Sequence, residues 1–238
     1  MKSFSILLAI AFLFCYTNCE AQWSKIKGEG PVVEQTLELD EFSSIGLGIA
    51  ADVVLTQGPK QSVRVKGQQN IIDNIKTRVK GNSWNIGFDE NASDYKELII
   101  YITIPTLESL AIGGSGDITS TNHFDNLDDI KIAIGGSGDV SLDLDAKDVN
   151  VSIGGSGEVA LKGSGDELNI SIGGSGDISA FDFPVEECKV SSAGSGDIDV
   201  HVSEHLKVSL VGSGDVTYLG NPQVKSTVLG SGEVEKKN

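Results

Sequence analysis

The sequence predicts an all-β protein folded as a parallel β-helix (β-solenoid) with coils of about 18–22 residues. The first observation is a tetrapeptide, Gly-Ser-Gly followed by Asp or Glu, that recurs at intervals of 22, 19, 19, 20, 18 and 18 residues. The second is that apolar and polar residues alternate on both flanks of each copy, as they do in β-strands. The third is that a unit this short cannot bury its apolar side alone, whereas stacked coils can. A β-propeller is excluded because each blade needs about 40 residues.

The acid that ends each copy sets the register of the coils. The seven acids are Asp117, Asp139, Glu158, Asp177, Asp197, Asp215 and Glu233. Around Asp139, the strand-like segment 132–134 precedes the turn and the segment 140–142 follows it. Strands of successive coils are expected about 4.8 Å apart, with Ile, Val and Leu filling the interior in columns. An eighth copy, 163–166, does not fit the spacing and is predicted to lie in an outer loop.

Two glycine columns are expected at the corners between strands. Their members are Gly114, Gly116, Gly136, Gly138, Gly155, Gly157, Gly174, Gly176, Gly194, Gly196, Gly212, Gly214, Gly230 and Gly232. A residue without Cβ is needed where φ is positive or where stacked backbones approach closely. The Ser and Asp side chains of the turns are expected to bond local backbone N–H groups.

The chain divides into three parts. Residues 1–21 are predicted to be a signal peptide, residues 22–110 irregular N-terminal coils and a cap, and residues 111–238 the regular coils. In the middle part, 52–56, 62–65 and 98–104 are predicted strands. Residues 70–79 are predicted to form a short helix that places Ile71, Ile72 and Ile75 on one side.

The N-terminus has the features of an export signal: a positive start, an apolar run over 4–14 and small residues before Gln22. This run is too short to span a bilayer, so no integral membrane segment is expected after cleavage. Lipidation at Cys15 or Cys19 is the alternative, although the residues that precede each cysteine are not the small ones such a site prefers. Without this segment Cys188 is the single cysteine, and we expect it to be a small buried residue.

The composition restricts the partners. With 18 Lys and Arg against 34 Asp and Glu, the formal charge is −16, which repels nucleic acid phosphates and anionic lipid surfaces. The turns are not followed by Gly-Lys-Ser/Thr, so they are not nucleotide loops. No nucleic acid partner is expected.

Several segments in order resemble the head GIN domain family, whose members are also described as putative autotransporter adhesins. The resemblance rests on 42–47, 52–58, 62–67, 102–105 and the serial Gly-Ser-Gly-Asp turns, and it covers nearly all of the chain after the signal peptide. It implies a right-handed parallel β-helix and an exported protein of the kind found largely in Bacteroidetes. It brings no catalytic residues.

The stacked acids are the one pattern that suggests a cofactor. A row of like charges about 5 Å apart either binds cations or is stabilised within the turns. The turn resembles the calcium-binding nonapeptide G-G-x-G-x-D, but one residue is missing and the period is about twice as long. We therefore expect turn carboxylates, with no metal or other cofactor, and keep Ca²⁺ as the alternative.

An enzymatic site is not indicated. The histidines are His123, His201 and His205; the last two are expected on one side of a strand, but no nucleophile and carboxylate accompany them. The favoured function is an exported, non-enzymatic binding surface of the bacterial cell envelope, located in the periplasm, on the outer-membrane surface or outside the cell, with a protein or glycan ligand. The alternatives are a periplasmic structural or assembly factor that self-associates through its coil ends, and a carbohydrate-active enzyme.

Overall fold

The computed structural model describes residues 25–237, and it confirms a parallel β-solenoid of about seven turns. Strands account for most of these residues, and the single helix, α1 (Gln69–Ile72), has one turn. The strands are β1 (Ile26–Lys27), β2 (Val32–Leu37), β3 (Ser44–Leu47), β4 (Asp52–Gln57), β5 (Ser62–Gln68), β6 (Val79–Lys80), β7 (Ser83–Ile86), β8 (Ala92–Ser93), β9 (Ile99–Ile104), β10 (Ser109–Ile112), β11 (Ile118–Ser120), β12 (Phe124–Ile134), β13 (Val140–Ile153), β14 (Glu158–Ile172), β15 (Asp177–Gly194), β16 (Ile198–Gly212), β17 (Val216–Gly220), β18 (Gln223–Gly230) and β19 (Val234–Lys236).

Each regular coil has three sides, which we name from the coil that contains β14. Side B (158–161) follows a Gly-Ser-Gly-acid corner, side C (162–166) follows side B, and side A (167–172) leads to the next corner at 173–176. The same order applies in the neighbouring coils, because β13, β14 and β15 pair in parallel on sides A and B. Side A and side B therefore meet at the corners that the repeat marks.

Interior columns of apolar side chains hold the coils together. On side A, Val151, Ile170, Val190 and Val208 occupy successive coils in register, and each is at most 2% exposed. Full burial of a side chain of this size stabilises the fold by about 1.5–3 kcal/mol. The strict alternation of buried and exposed residues fixes the register, because a one-residue slip would turn the apolar set outward.

The N-terminal region has mixed strand directions. β5 lies between β2 and β9 and is antiparallel to both, whereas β9 pairs in parallel with β4 and β4 with β11. On the neighbouring side β7, β3 and β10 are parallel. The strands predicted at 52–56, 62–65 and 98–104 are present with slightly different ends.

Two local expectations need correction. The predicted helix at 70–79 reduces to α1, although Ile71, Ile72 and Ile75 are buried as expected. The eighth Gly-Ser-Gly-Asp copy is not in an outer loop but within β14, on side C. There an added Cβ at Gly165 would lie 2.9 Å from the buried ring of Phe183, so this glycine makes room for the ring.

The segment predicted to be a signal peptide, with Cys15 and Cys19, lies outside the described residues. Between residues 25 and 237, no helix has the length and apolar character needed to cross a bilayer. Cys188 is a free cysteine, 3% exposed, as the sequence predicted. Burial raises the pKa of its thiol to about 12, with a smaller contribution from Glu167, so the thiol is unreactive at neutral pH.

Candidate functional site

The corner glycines are required by close approach between coils. At thirteen of the fourteen, an added Cβ would lie less than 3.0 Å from an atom of the preceding coil, in most cases a glycine carbonyl oxygen. Only Gly212 and Gly230 among them have a positive φ. By contrast, a Cβ at Gly173 would have no neighbour closer than 4.0 Å. This explains why the position before the motif varies from glycine to alanine, valine and leucine.

The corner acids connect one coil to the next. Oδ1 of Asp117 accepts the backbone N–H of Asp139 at 3.0 Å. The same bond recurs from the N–H of Asp197 to Asp177 and from the N–H of Asp215 to Asp197, at 2.8 and 3.1 Å. Each carboxylate thus bonds the N–H of the following coil instead of a local N–H group.

Glu158 shows why the acid is usually aspartate. The N–H of the following acid, Asp177, bonds the carbonyl oxygen of Gly157 at 3.3 Å instead of the Glu158 carboxylate. The extra methylene of glutamate is the only chemical difference between this corner and its neighbours. Within residues 25–237, no group of three or more His, Cys, Asp or Glu side chains is arranged to hold a metal ion.

Side A carries ordered columns of outward-facing residues that the sequence analysis did not identify. The lysine column lies eight residues before the corner acids and contains Lys131, Asn150, Asn169, Lys189, Lys207 and Lys225. The acid column lies two residues earlier and contains Asp129, Asp148, Glu167 and Glu187, followed by His205 and Gln223. Both columns lie at a constant distance in sequence before the corner acids, and this offset is the signal by which the sequence could have identified them.

A third column, two residues after the lysine column, is made of small side chains. It contains Ala111, Ala133, Ser152, Ser171, Ser191, Ser209 and Thr227. Because the strands are in register, the three columns form a continuous, mostly polar surface. Side A therefore presents one residue of each column about every 4.8 Å along the solenoid axis.

Like charges accumulate in the first part of the acid column. The pKa of Asp148 is raised, mainly because partial burial disfavours its charged form and also because Asp129 and Glu167 lie above and below it. One carboxylate is bonded to the neighbouring column: Nδ2 of Asn169 donates to Oε1 of Glu167 at 2.9 Å. The acids end at Glu187, so the last coils of side A lack them.

Two grooves lie at the ends of side A. One, of about 350 Å³, is lined by residues of both columns from Glu167 to Lys225, together with the buried Cys188 and Leu206. The other, of about 470 Å³, lies at the first coils and is lined by residues that include Glu108, Asp129 and Lys131. The polar columns of side A run between the two grooves.

Among the described residues, His123 is the histidine that contacts two carboxylates directly. Its Nδ1 lies 2.6 Å from Oδ1 of Asp143, and its Nε2 lies 3.0 Å from Oδ2 of Asp145. The hydrogen bond that His123 donates to the Asp143 carboxylate is the main reason that the pKa of His123 is raised. The Ser164 hydroxyl donates to Asp145 at 2.7 Å and lowers the pKa of that carboxyl. Both ring nitrogens are therefore engaged by carboxylates of the following coil, on β13.

The expectation that His201 and His205 share one side is wrong. Three consecutive exposed residues, 203–205, interrupt the alternation of β16, because the chain bends there from side C to side A. His205 aligns with Glu187 on side A, whereas Nδ1 of His201 lies 3.2 Å from the carbonyl oxygen of Phe181. The two imidazoles therefore cannot act together.

Comparison with known proteins places this surface in a family context. Residues 41–222 match the family described as "Putative auto-transporter adhesin, head GIN domain". A putative adhesin of Bacteroides fragilis NCTC 9343 has a crystal structure similar to this one, with a TM-score of 0.83, 26% identity, and coverage of 89% of this chain and 100% of that chain. No curated protein matches the chain.

Two further crystal structures share the fold. A putative lipid binding protein of Parabacteroides distasonis ATCC 8503 has a TM-score of 0.75 at 24% identity, over 90% of this chain and 100% of that chain. A putative adhesin of Parabacteroides merdae ATCC 43184 has a TM-score of 0.69 at 22% identity, over 90% of this chain and 99% of that chain. The family match covers most of the sequence, and the chain therefore belongs to the head GIN domain family.

Proposed function

We propose that this protein is an exported, non-enzymatic binding protein of the bacterial cell envelope and that side A is its binding surface. The observation that carries the proposal is the set of three in-register columns on side A. A rigid array that repeats carboxylate, ammonium, amide and hydroxyl groups at one spacing can contact many units of an extended partner at once. Membership in a family described as adhesins supports a binding role.

The non-enzymatic part of the proposal rests on the histidines. Both nitrogens of His123 are bonded to carboxylates, so neither is free to take a proton from a substrate. His201 and His205 lie on different sides of the coil. The partner is a protein or a glycan, and its contacts would be polar, since exposed aromatic rings are absent from the three columns of side A.

Export follows from the predicted signal peptide at 1–21 and agrees with the family description. The compartment is the periplasm, the outer-membrane surface or the extracellular space. Protease accessibility on intact and osmotically opened cells tests this. Digestion on intact cells is expected for an adhesin, whereas protection until the cells are opened would favour the periplasmic alternative.

One observation favours that alternative, a structural or assembly factor that self-associates through its coil ends. Within residues 25–237, β18 pairs only with β16 and β19 only with β17, so each strand has an open edge. A second observation argues against self-association. Ser226 of the last coil aligns with the interior residue Val208, and polar residues at such positions oppose edge pairing. A mass measurement over a range of concentrations separates the two functions, since self-association predicts a mass that rises with concentration.

A further inference from the structure

The lysine column and the acid column of side A change together in the last coils. Lysine occupies three consecutive positions, Lys189, Lys207 and Lys225. In the same coils the acid column changes to His205 and Gln223. Side A is thus acidic in its first coils and basic in its last.

An apolar change accompanies the basic one. The position immediately before the corner glycines is Gly113, Gly135, Gly154 and Gly173 in the earlier coils and then Ala193, Val211 and Leu229. Val211 is 50% exposed and Leu229 is 65% exposed. The Cβ space at this column is open, so packing does not require these larger side chains. Large apolar residues appear only in the coils that also carry consecutive lysines.

The three consecutive lysines, which we call the lysine row, form no ion pair with the described residues. Register holds their backbones about 4.8 Å apart, so the ammonium groups repel one another. Glu187 is the one carboxylate in the adjoining column of these coils. The row is therefore complementary to an external anion.

We propose that this basic and apolar end of side A docks the protein on an anionic lipid surface. Lysine side chains at such a surface contact lipid phosphates, while exposed aliphatic side chains enter the boundary between headgroups and acyl chains. Lys207 and Val211 are four residues apart on β16, about 13 Å along the strand. One coil thus presents a cation and an apolar group to the same surface.

The occupant is a lipid surface rather than an acidic glycan, because a glycan chain gives no role to Val211 and Leu229. The net charge of −16 predicts repulsion from anionic membranes at long range. That repulsion is screened beyond about 8 Å at physiological salt, so the local row decides the contact. The acidic first coils of side A lie at the other end of the solenoid and would point away from the membrane.

Vesicle sedimentation of the purified exported chain tests the proposal. We expect binding to equimolar phosphatidylglycerol–phosphatidylcholine vesicles, weakening as salt is raised, and little binding to phosphatidylcholine alone. The triple variant Lys189→Gln, Lys207→Gln and Lys225→Gln should bind about tenfold more weakly or worse. The variant Val211→Ser and Leu229→Ser should also lose about tenfold, since these side chains are exposed and not needed for folding.

A matched control removes the same charge elsewhere. The triple variant Lys147→Gln, Lys162→Gln and Lys236→Gln should bind vesicles within about twofold of the unsubstituted chain. Equal losses in both lysine variants would overturn the proposal, as would absence of binding to the anionic vesicles. If the protein binds soluble polygalacturonate, and the lysine variant weakens this binding but the Val211 and Leu229 variant does not, the ligand is an acidic glycan instead. A mass that falls on Leu229→Ser, without vesicle binding, would identify a second copy.

This inference goes beyond the proposed function, and the two can fail separately. Pure vesicles contain no adhesion partner, so vesicle binding is independent of what side A binds in the envelope. Conversely, a protein that is exposed on cells and binds a partner there, but not anionic vesicles, would retain the proposed function and lose this inference.

Discussion

The repeat region turns its corners with glycine backbones, whereas the N-terminal region uses side-chain amides. In the repeat, each corner fits against a chemically identical one, and a bare carbonyl of the coil below occupies the space of the missing Cβ. In the N-terminal region Gln57 joins two loops: its Nε2 donates to the carbonyl oxygens of Pro105 and Asp125, and its Oε1 accepts the N–H of Asp125. Gln61 similarly accepts the N–H of Phe42 and donates to the carbonyl oxygen of Asp40.

The difference shows how a solenoid depends on its neighbours. Identical coils pack through the same close backbone contacts at every corner, so a corner of the repeat region is sensitive to any added atom. Coils that differ from one another need side chains that fill each gap, so a corner of the N-terminal region is sensitive to the loss of a particular side-chain group. The core of the two regions differs as well. In the N-terminal region the rings of Phe42 and Trp84 pack together, with 5.5 Å between their centroids, whereas columns of aliphatic side chains fill the repeat region.

The largest effect is expected at a repeat corner. Gly174→Ala should lower the free energy of unfolding by about 2–3 kcal/mol, because the new methyl group overlaps the carbonyl oxygen of Gly155. Gly173→Ala is the matched control, since its Cβ has no close neighbour, and it should change stability by less than about 0.5 kcal/mol. Chemical denaturation measures both. Equal effects of the two alanines would show that the coils can separate freely.

Loss of an amide in the N-terminal region should have the next largest effect. Gln57→Ala removes three hydrogen bonds to Pro105 and Asp125 and should destabilise by about 1–2 kcal/mol. Gln223→Ala, in an exposed position of β18, should be nearly neutral. Denaturation midpoints give the comparison, and a neutral Gln57→Ala would contradict the role assigned to amides in these corners.

Corner acids should show a smaller effect that depends on side-chain length. Asp177→Ala removes the acceptor of the Asp197 N–H and should destabilise by about 1 kcal/mol. Glu158→Ala should change little, because the next N–H bonds a carbonyl oxygen. Glu158→Asp should be slightly stabilising. If Asp177→Ala and Glu158→Ala change the free energy of unfolding equally, the carboxylates do not stabilise the fold through these hydrogen bonds.

The smallest effect is a pH dependence from His123. Its pKa is raised above 6.5 in the folded protein, so its stabilising contribution is complete at lower pH and is lost as pH rises through the folded pKa. Because the side chain is 40% exposed, the loss should be about 0.5 kcal/mol. Urea unfolding at about pH 6 and about pH 9 measures it. His123→Gln should remove this part of the dependence, and an unchanged difference would assign it to other groups.

The repeat allowed the coil period, the buried columns and the corner positions to be predicted from the sequence. Strand direction was not predictable, because β5 alternates like any other strand although it runs antiparallel to β9. The eighth tetrapeptide was misplaced because its glycines answer to side C and not to a corner: Gly163 closely approaches the carbonyl oxygen of Leu144, and Gly165 leaves space for Phe183. The columns of side A were not predicted because their residue types vary, lysine with asparagine and acids with histidine and glutamine, so only their register relates them.

Labelling of two variants that each carry one added cysteine, in cell envelopes, tests most directly whether side A is the binding surface. Ser171→Cys places a thiol on side A, Ser179→Cys places one on side B across the corner, and both positions are exposed. The native Cys188 does not interfere, because its pKa is about 12. In purified protein both variants should react with a maleimide at similar rates. In envelopes opened without detergent, Ser171→Cys should react more slowly than Ser179→Cys, and equal rates in both preparations would contradict the account.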